Sequence, residues 1–223
     1  MDFVEYPDRD LLFLSLARSV QGQLGEQLRL MGRASLSVPG GTTPGPLFDL
    51  LSAADLDWPQ VAVMLNDERW VPEGNPRSNT ALLRQRLLTG RAAAAQLVPL
   101  YAPTDTPEES LPALTEGILA HLPLSVLVLG MGEDMHTASL FPGGDLLDLA
   151  LSPDAPPLLP LRATGAAEPR LTLTAPVLRG ALHVHVLILG PAKRAALERA
   201  ATLPAAQAPI RTVLDTATIH WAA

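Results

Sequence analysis

His136 and Asp134 are the residues of this sequence best equipped to move a proton. They lie in LGMGEDMHTASLFPGG, residues 129–144, where an apolar run gives way to glycines, two carboxylates, one histidine and a serine. A histidine of ordinary pKa, about 6.5, can deprotonate water near neutral pH, and a neighbouring carboxylate can hold its tautomer. Two other chemistries fail on spacing. The pattern GxGxxG is broken by Met135 at its third glycine, which removes the close backbone approach that a dinucleotide needs. GxSxG is absent around Ser139, so the stretch is no nucleophile elbow.

Two further loops carry polar chemistry. PGGTTP, residues 39–44, holds Gly40, Gly41, Thr42 and Thr43 between an expected strand and an expected helix. Glycines let backbone N–H groups converge, and a helix N-terminus favours an anion. GxxxxGK[ST] is missing, so this is no P-loop, and a plain left-handed turn with a helix cap explains the same residues. NDERWVPEGNPRSN, residues 66–79, carries Asp67, Glu68, Arg69, Arg77, Ser78 and Asn79. Arginine can hold a phosphate through paired donors, while a carboxylate fixes its side chain or takes a proton. The plain alternative is a solvated loop whose ion pairs contribute little. Arg170 and Lys193 sit at element edges, where an outward charge is the default. Lys193 falls in the first turn of an expected helix, against the helix dipole, which favours an anion nearby. His121, His183, His185 and His220 lie in strand or helix settings that suit structural or surface histidines.

The elements that must carry these loops are legible in the hydrophobic pattern. Residues 8–33 repeat apolar side chains at helical spacing, and 34–38 (ASLSV) form a short strand. A helix over 46–54 and a near-continuous apolar strand over 60–65 follow, then a long polar loop over 66–79 and a helix over 80–88. A weaker strand is expected at 98–101, a helix at 107–122, a buried strand at 125–130, strands at 170–174 and 183–189, and a helix at 191–201. The proline-rich 152–160 is expected to cross the surface. Strands alternating with helices mean an α/β fold with a mainly parallel sheet, expected as a single domain over 1–223. Ligands of such sheets sit beyond the carboxyl ends of the strands, where the three polar loops emerge.

Composition narrows the function classes. The 223 residues suffice for a full core, and 48% apolar with 17% charged residues describe a globular chain. No apolar run reaches the roughly 18 residues of a membrane span, and the acidic N-terminus lacks the features of a signal peptide. A formal charge of −7 without a basic run argues against nucleic acid and acidic membranes. Zero cysteines exclude disulfides, a thiol nucleophile and a Cys-based zinc site, and a cytoplasmic setting is expected. Of the 16 basic residues only Lys193 is lysine, a coding bias that deprives the arginine count of functional weight.

Taken together, PGGTTP, NDERWVPEGNPRSN, LGMGEDMHTASLFPG and RLTLTAPVLRGALHVHVLILGPAKRAAL resemble the 6-phosphogluconolactonases, within the larger group that includes glucosamine-6-phosphate deaminases. The pieces occur in the expected order from residue 38 to about 197, and HTASLFPG is the most specific of them. Met135 departs from the family's usual glycine before the histidine. The resemblance implies a Rossmann-like α/β fold and hydrolysis of 6-phospho-D-glucono-1,5-lactone, the second step of the pentose phosphate pathway. It implies no organic cofactor and no catalytic metal. The expected partner is therefore the small sugar-phosphate lactone alone, with no nucleic acid or membrane and a monomer as the expected state.

By the same resemblance His136 is the catalytic histidine and the family's Asp-Glu-Arg falls on Asp67, Glu68 and Arg69, while Asp134, two residues before the histidine, is expected to orient the imidazole. Gly40, Gly41, Thr42, Thr43, Arg77, Ser78, Asn79, Arg170 and Lys193 are the expected substrate contacts. Two rival readings are a glucosamine-6-phosphate deaminase or isomerase and a non-enzymatic sugar-phosphate sensor. The deaminases carry a carboxylate five residues beyond the histidine. Here that position is Phe141, which cannot relay a proton. A scaffolding α/β domain would give the polar loops no reason to gather at one sheet edge.

Overall fold

Two sheets of different character build the molecule. The computed structural model describes residues 1–163 and 167–223. The larger sheet takes strands β1 (Asp2–Glu5), β2 (Ala34–Val38), β3 (Val61–Leu65), β5 (Gln96–Leu97), β6 (Val126–Gly130), β9 (His183–Leu189) and β10 (Thr218–Ala222). Their order is β1-β10-β9-β6-β2-β3-β5, and every pairing is parallel. The smaller sheet, β4 (Asp67–Arg69), β8 (Arg170–Leu173) and β7 (Leu158–Leu161), is antiparallel in the order β4-β8-β7. Helices α1 (Arg9–Met31), α2 (Gly45–Ser52), α3 (Asn79–Arg86), α4 (Pro107–Leu119), α5 (Leu147–Leu151), α6 (Ala175–Arg179), α7 (Pro191–Ala200) and α8 (Arg211–Leu214) connect them. The fold is α/β and Rossmann-like, as expected. Among the described residues no helix is long and apolar enough to cross a membrane.

The long first helix shows how sequence becomes packing. Asp8 caps its N-terminus by accepting the Leu11 N–H at 2.7 Å. Leu12, Leu16, Val20 and Leu24, every fourth residue, are wholly buried, and α1 lies against β2, β6 and β10. Each such side chain contributes about 2 kcal/mol through area removed from water. The central strands β2 and β3 are buried at all five positions, which explains their near-continuous apolar runs.

Several elements differ from the sequence reading. Asp67–Arg69, expected within a loop, is a strand because it pairs with Arg170–Leu173. That same strand, expected beside its parallel neighbours, is instead the centre of the small antiparallel sheet. Residues 158–161 do not cross the surface but form the buried β7, whose Pro160 is tolerated because the strand is an edge. Pairing near 98–101 occurs two residues earlier, at Gln96–Leu97, because Pro99 has no N–H to give. The helices expected at 80–88 and 107–122 run over Asn79–Arg86 and Pro107–Leu119. The strands β1 and β10 had no counterpart in the sequence reading.

Asn66 fastens the two sheets together beneath the polar loops. It is wholly buried, accepts the Ser37 hydroxyl at 2.6 Å and donates to the Val128 carbonyl at 2.8 Å. Its own N–H meets the Val38 carbonyl, and its carbonyl accepts the Leu173 N–H, each at 2.9 Å. One side chain and one peptide thus tie β2, β6 and β8 to the point where β3 passes into β4.

Candidate active site

A cleft of about 240 Å³ opens where β2, β3, β6 and β9 end. Its walls include Gly40, Gly41 and Thr43 from the loop after β2, and Asp67, Arg69 and Asn79 from the segment after β3. His136 enters from the loop after β6, Arg170 from the start of β8, and Lys193 from the first turn of α7. Nine of the residues singled out in the sequence therefore share one cavity. Thr42, Arg77 and Ser78 do not line it, and Asp134 stands behind His136.

The histidine is held from its far side. Its Nδ1 lies 2.5 Å from Asp134 Oδ1, and its backbone N–H donates to the same oxygen at 3.2 Å. An ionised carboxylate can only accept, so Nδ1 carries the proton and Nε2 is left with its lone pair. Burial acts to raise the Asp134 carboxyl, yet its interactions with His136 and with backbone N–H groups prevail and hold it below its ordinary value. Gly132 makes room for this pair: a Cβ there would fall 2.2 Å from both Asp134 Oδ1 and His136 Nδ1. The turn closes through Gly132 N–H to the His136 carbonyl at 2.9 Å and Met135 N–H to the Gly132 carbonyl at 3.0 Å.

Met135 keeps φ at +66° and Ala138 at +49°, left-handed angles that cost a non-glycine residue about 1–2 kcal/mol each. The side chain at 135 has therefore left the glycine-like backbone in place. The Ile210 N–H, donating to the Met135 carbonyl at 3.1 Å, helps to hold it.

The opposite wall is cationic. Arg69 donates through Nη1 to the Arg77 carbonyl at 2.9 Å, and Arg170 stands 3.8 Å from Asp67 Oδ2. Among the described residues, the buried Nε atoms of both arginines lack a hydrogen-bond partner. Burial, reinforced by Arg69 and Arg77, pushes the Arg170 guanidinium below its ordinary value, although Asp67 and Glu168 oppose this. Two arginines that line one cleft, each with a buried N–H lacking an acceptor among the described residues, suit an anion with several oxygens. Lys193 adds a third cation, its Nζ donating to the Met131 carbonyl at 2.7 Å.

Asp67 and Asn79 serve as scaffolding within the cleft. Asp67 Oδ2 accepts the Ser139 hydroxyl at 2.5 Å, and the Asp67 carbonyl accepts Asn79 Nδ2 at 3.1 Å. A Cβ on Gly40 would fall 2.1 Å from the Asn79 amide, so only glycine lets the first loop close on this wall. Arg77 turns away to pair with Glu168 at 2.8 Å. Ser78 caps α3 by accepting the Ala81 N–H at 3.2 Å.

Three residues named in the sequence, Glu68, Ser139 and Phe141, take supporting roles that the sequence did not assign to them. Glu68 is wholly buried and accepts the backbone N–H groups of Arg69, Asn79 and Thr80 and the hydroxyls of Ser78 and Thr80. It is a structural carboxylate that ties β4 to the N-terminus of α3. Glu68→Gln turns one acceptor into a donor facing donors and is expected to cost about 2 kcal/mol, read from urea unfolding. Ser139, set aside for want of GxSxG, orients Asp67, and Phe141 packs beside His136. Their signal was HTASLFPG itself, which demands more than one histidine.

Comparison with known proteins bears on the family and the fold. The family described as glucosamine-6-phosphate isomerases/6-phosphogluconolactonase matches residues 7–221. The chain is 44% identical to a 6-phosphogluconolactonase of Rhizobium meliloti, covering 93% of each chain. It is 42% identical to a 6-phosphogluconolactonase of Mesorhizobium japonicum, over 97% of this chain and 93% of that one. The crystal structure of a 6-phosphogluconolactonase from Shewanella baltica superposes with a TM-score of 0.96 at 33% identity, covering 100% of this chain and 98% of the other.

Proposed function

Since the chain belongs to the glucosamine-6-phosphate isomerase/6-phosphogluconolactonase family, we propose that it opens 6-phospho-D-glucono-1,5-lactone to 6-phospho-D-gluconate with His136 as the base. Lactone hydrolysis in the pentose phosphate pathway is the reaction class of its relatives at 42–44% identity. The observation that carries the mechanism is the Asp134–His136 pair facing two guanidinium groups across one cleft.

A lactone is an activated ester, so it needs a positioned water, a base and stabilisation of the developing oxyanion. Nε2 of His136 takes a proton from the water as its oxygen bonds to C1, while Asp134 holds Nδ1–H and offsets the charge of the imidazolium. Arg69 or backbone N–H groups of the Gly40–Gly41 loop meet the oxyanion. Collapse of the tetrahedral adduct breaks the bond from C1 to the ring oxygen, which leaves with the proton from His136. The new carboxylic acid then gives its proton to solvent. Arg170 and Lys193 hold the phosphate, so that binding energy remote from C1 keeps the ring in register.

The test is hydrolysis of freshly prepared lactone, coupled to oxidation of the product by 6-phosphogluconate dehydrogenase, with the spontaneous rate subtracted. Saturable acceleration is expected. Ammonia release from glucosamine 6-phosphate would replace this reading with the deaminase, and binding of phosphogluconate without turnover would replace it with a sensor. Gly132→Ala is expected to lose about 100-fold in kcat, because its methyl displaces the Asp134–His136 pair. Its urea midpoint should stay near that of the wild type, since the displaced groups are on the cleft surface. A variant of unchanged kcat would show that the placement of the pair does not matter.

A further inference from the structure

One aromatic ring touches both the base and the cationic wall. Phe141 approaches His136 with 4.4 Å between ring centroids and a tilt of 38°. The Arg170 guanidinium carbon lies over the same ring, 5.2 Å from its centroid. We propose that Phe141 is a positioning residue for the hydrolysis described above, its ring fixing both the plane of the His136 imidazole and the seat of the Arg170 guanidinium. The inference rests on that reading of the cleft and adds to it a part played by a side chain with no polar atom.

The need for such a residue is visible in what the two polar groups lack. Among the described residues the His136 ring is held by one hydrogen bond, through Nδ1, and one hydrogen bond fixes the pivot of an imidazole but leaves its tilt free. Ring contact removes that freedom and aims Nε2. Arg170 has the 3.8 Å ion pair with Asp67, and among the described residues its Nε has no partner. The aromatic face supplies an attractive seat for the cation without occupying the N–H groups that a phosphate would use. During turnover the imidazole becomes a cation too. Phe141 then contacts two cations at once, and a ring that attracts each offsets part of their mutual repulsion.

Phe141 is itself held firmly enough to act as a reference. Leu140 beside it is wholly buried, and its N–H meets the Thr137 carbonyl at 2.9 Å. Gly144 donates to the Phe141 carbonyl at 2.9 Å, closing the turn that follows. The Ser139 N–H donates to the Thr172 hydroxyl at 3.2 Å, which docks the segment on β8, the strand that begins with Arg170. Base, ring and guanidinium are thereby built on one stiff unit.

The experiment compares Phe141→Leu, which loses the aromatic face, with Phe141→Tyr, which retains it. Against the phosphorylated lactone, Phe141→Leu is expected to lower kcat and to raise KM, each about tenfold, while Phe141→Tyr stays within about threefold of wild type. Against unphosphorylated gluconolactone the kcat loss should persist and the KM change should vanish, because Arg170 then has no phosphate to hold. Calorimetry with 6-phosphogluconate should show about tenfold weaker binding to Phe141→Leu, with thermal melts near wild type for both variants. Wild-type kinetics in Phe141→Leu, equal losses in both variants, or a kcat loss with unchanged KM on the phosphorylated lactone would overturn the proposal. A wild type that binds phosphogluconate but opens no lactone would end the hydrolase reading instead. In that case the calorimetry alone decides, and equal affinity of Phe141→Leu and wild type overturns the proposal.

Discussion

His136→Ala lowers kcat/KM for 6-phospho-D-glucono-1,5-lactone by about 10³-fold, and nearly all of the loss is in kcat. General-base catalysis is worth about 10² to 10⁴ in rate, and here no other titratable nitrogen in the cleft can replace the imidazole. Lys193 is turned to the Met131 carbonyl, and the arginines are permanent cations. KM should change little, because the groups assigned to the phosphate lie on other elements. The loss corresponds to about 4 kcal/mol of transition-state stabilisation. Asp134→Asn should lose less, about 10- to 100-fold, because its amide oxygen can still accept Nδ1–H but no longer balances the imidazolium charge. The measurement is the coupled assay with the spontaneous rate subtracted. Full activity in His136→Ala would leave the lactone chemistry standing and remove the histidine from it. A loss confined to KM would move His136 from base to binding group.

The parts of the cleft that a local pattern specifies were legible before any fold was known. Glycines after β2, Asp-Glu-Arg after β3 and the histidine loop after β6 lie where parallel strands end, and the alternation of elements says that those ends share an edge. Roles set by long-range pairing were not legible. Asp67–Arg69 reads as a polar loop because three residues carry no period, and they become a strand only when β8 arrives from 100 residues away. Glu68 reads as a carboxylate that fixes an arginine or takes a proton, and its structural role emerges only when α3 turns its N-terminus onto it. Arg77 reads as a phosphate ligand, yet Glu168 claims it first. Pro160 hides β7, and β1, an edge strand with no buried position, offers only a partial apolar pattern. His185 and His220 were assigned a structural or surface place on their settings, and the structure makes them something more specific than that.

Between pH 7 and pH 5 the unfolding free energy falls by about 4 kcal/mol, and this pair of histidines is the cause. His185 on β9 and His220 on β10 are buried and joined, Nδ1 of the first lying 3.0 Å from Nε2 of the second. His185 Nε2 reaches Gln23 Oε1 at 2.8 Å, and Tyr6 Oη reaches His220 Nδ1 at 2.9 Å. With Gln23 Oε1 as acceptor, one direction satisfies every group: Tyr6 donates to His220, His220 to His185, and His185 to Gln23. With the bonds in that direction, a second proton on His185, at Nδ1, would face the His220 Nε2–H.

Burial, then the neighbouring His220 and His183, holds His185 at about 3, and burial likewise holds His220 at about 4, from an unfolded value of 6.5. Stability from such groups is complete above the unfolded value and is lost as pH falls through it, because only the unfolded chain then takes up protons. Over this window each contributes about 2 kcal/mol. Aspartates and glutamates titrate mostly below it, while His121, also lowered by burial and by Arg33, adds to the same trend. Urea unfolding at pH 7 and pH 5 checks the fall, and His185→Gln with His220→Gln should flatten it while keeping hydrogen-bonding groups in place. An unchanged slope in the double variant would place the acid sensitivity elsewhere. A wild type equally stable at both pH values would mean that the rings are not held neutral by the fold.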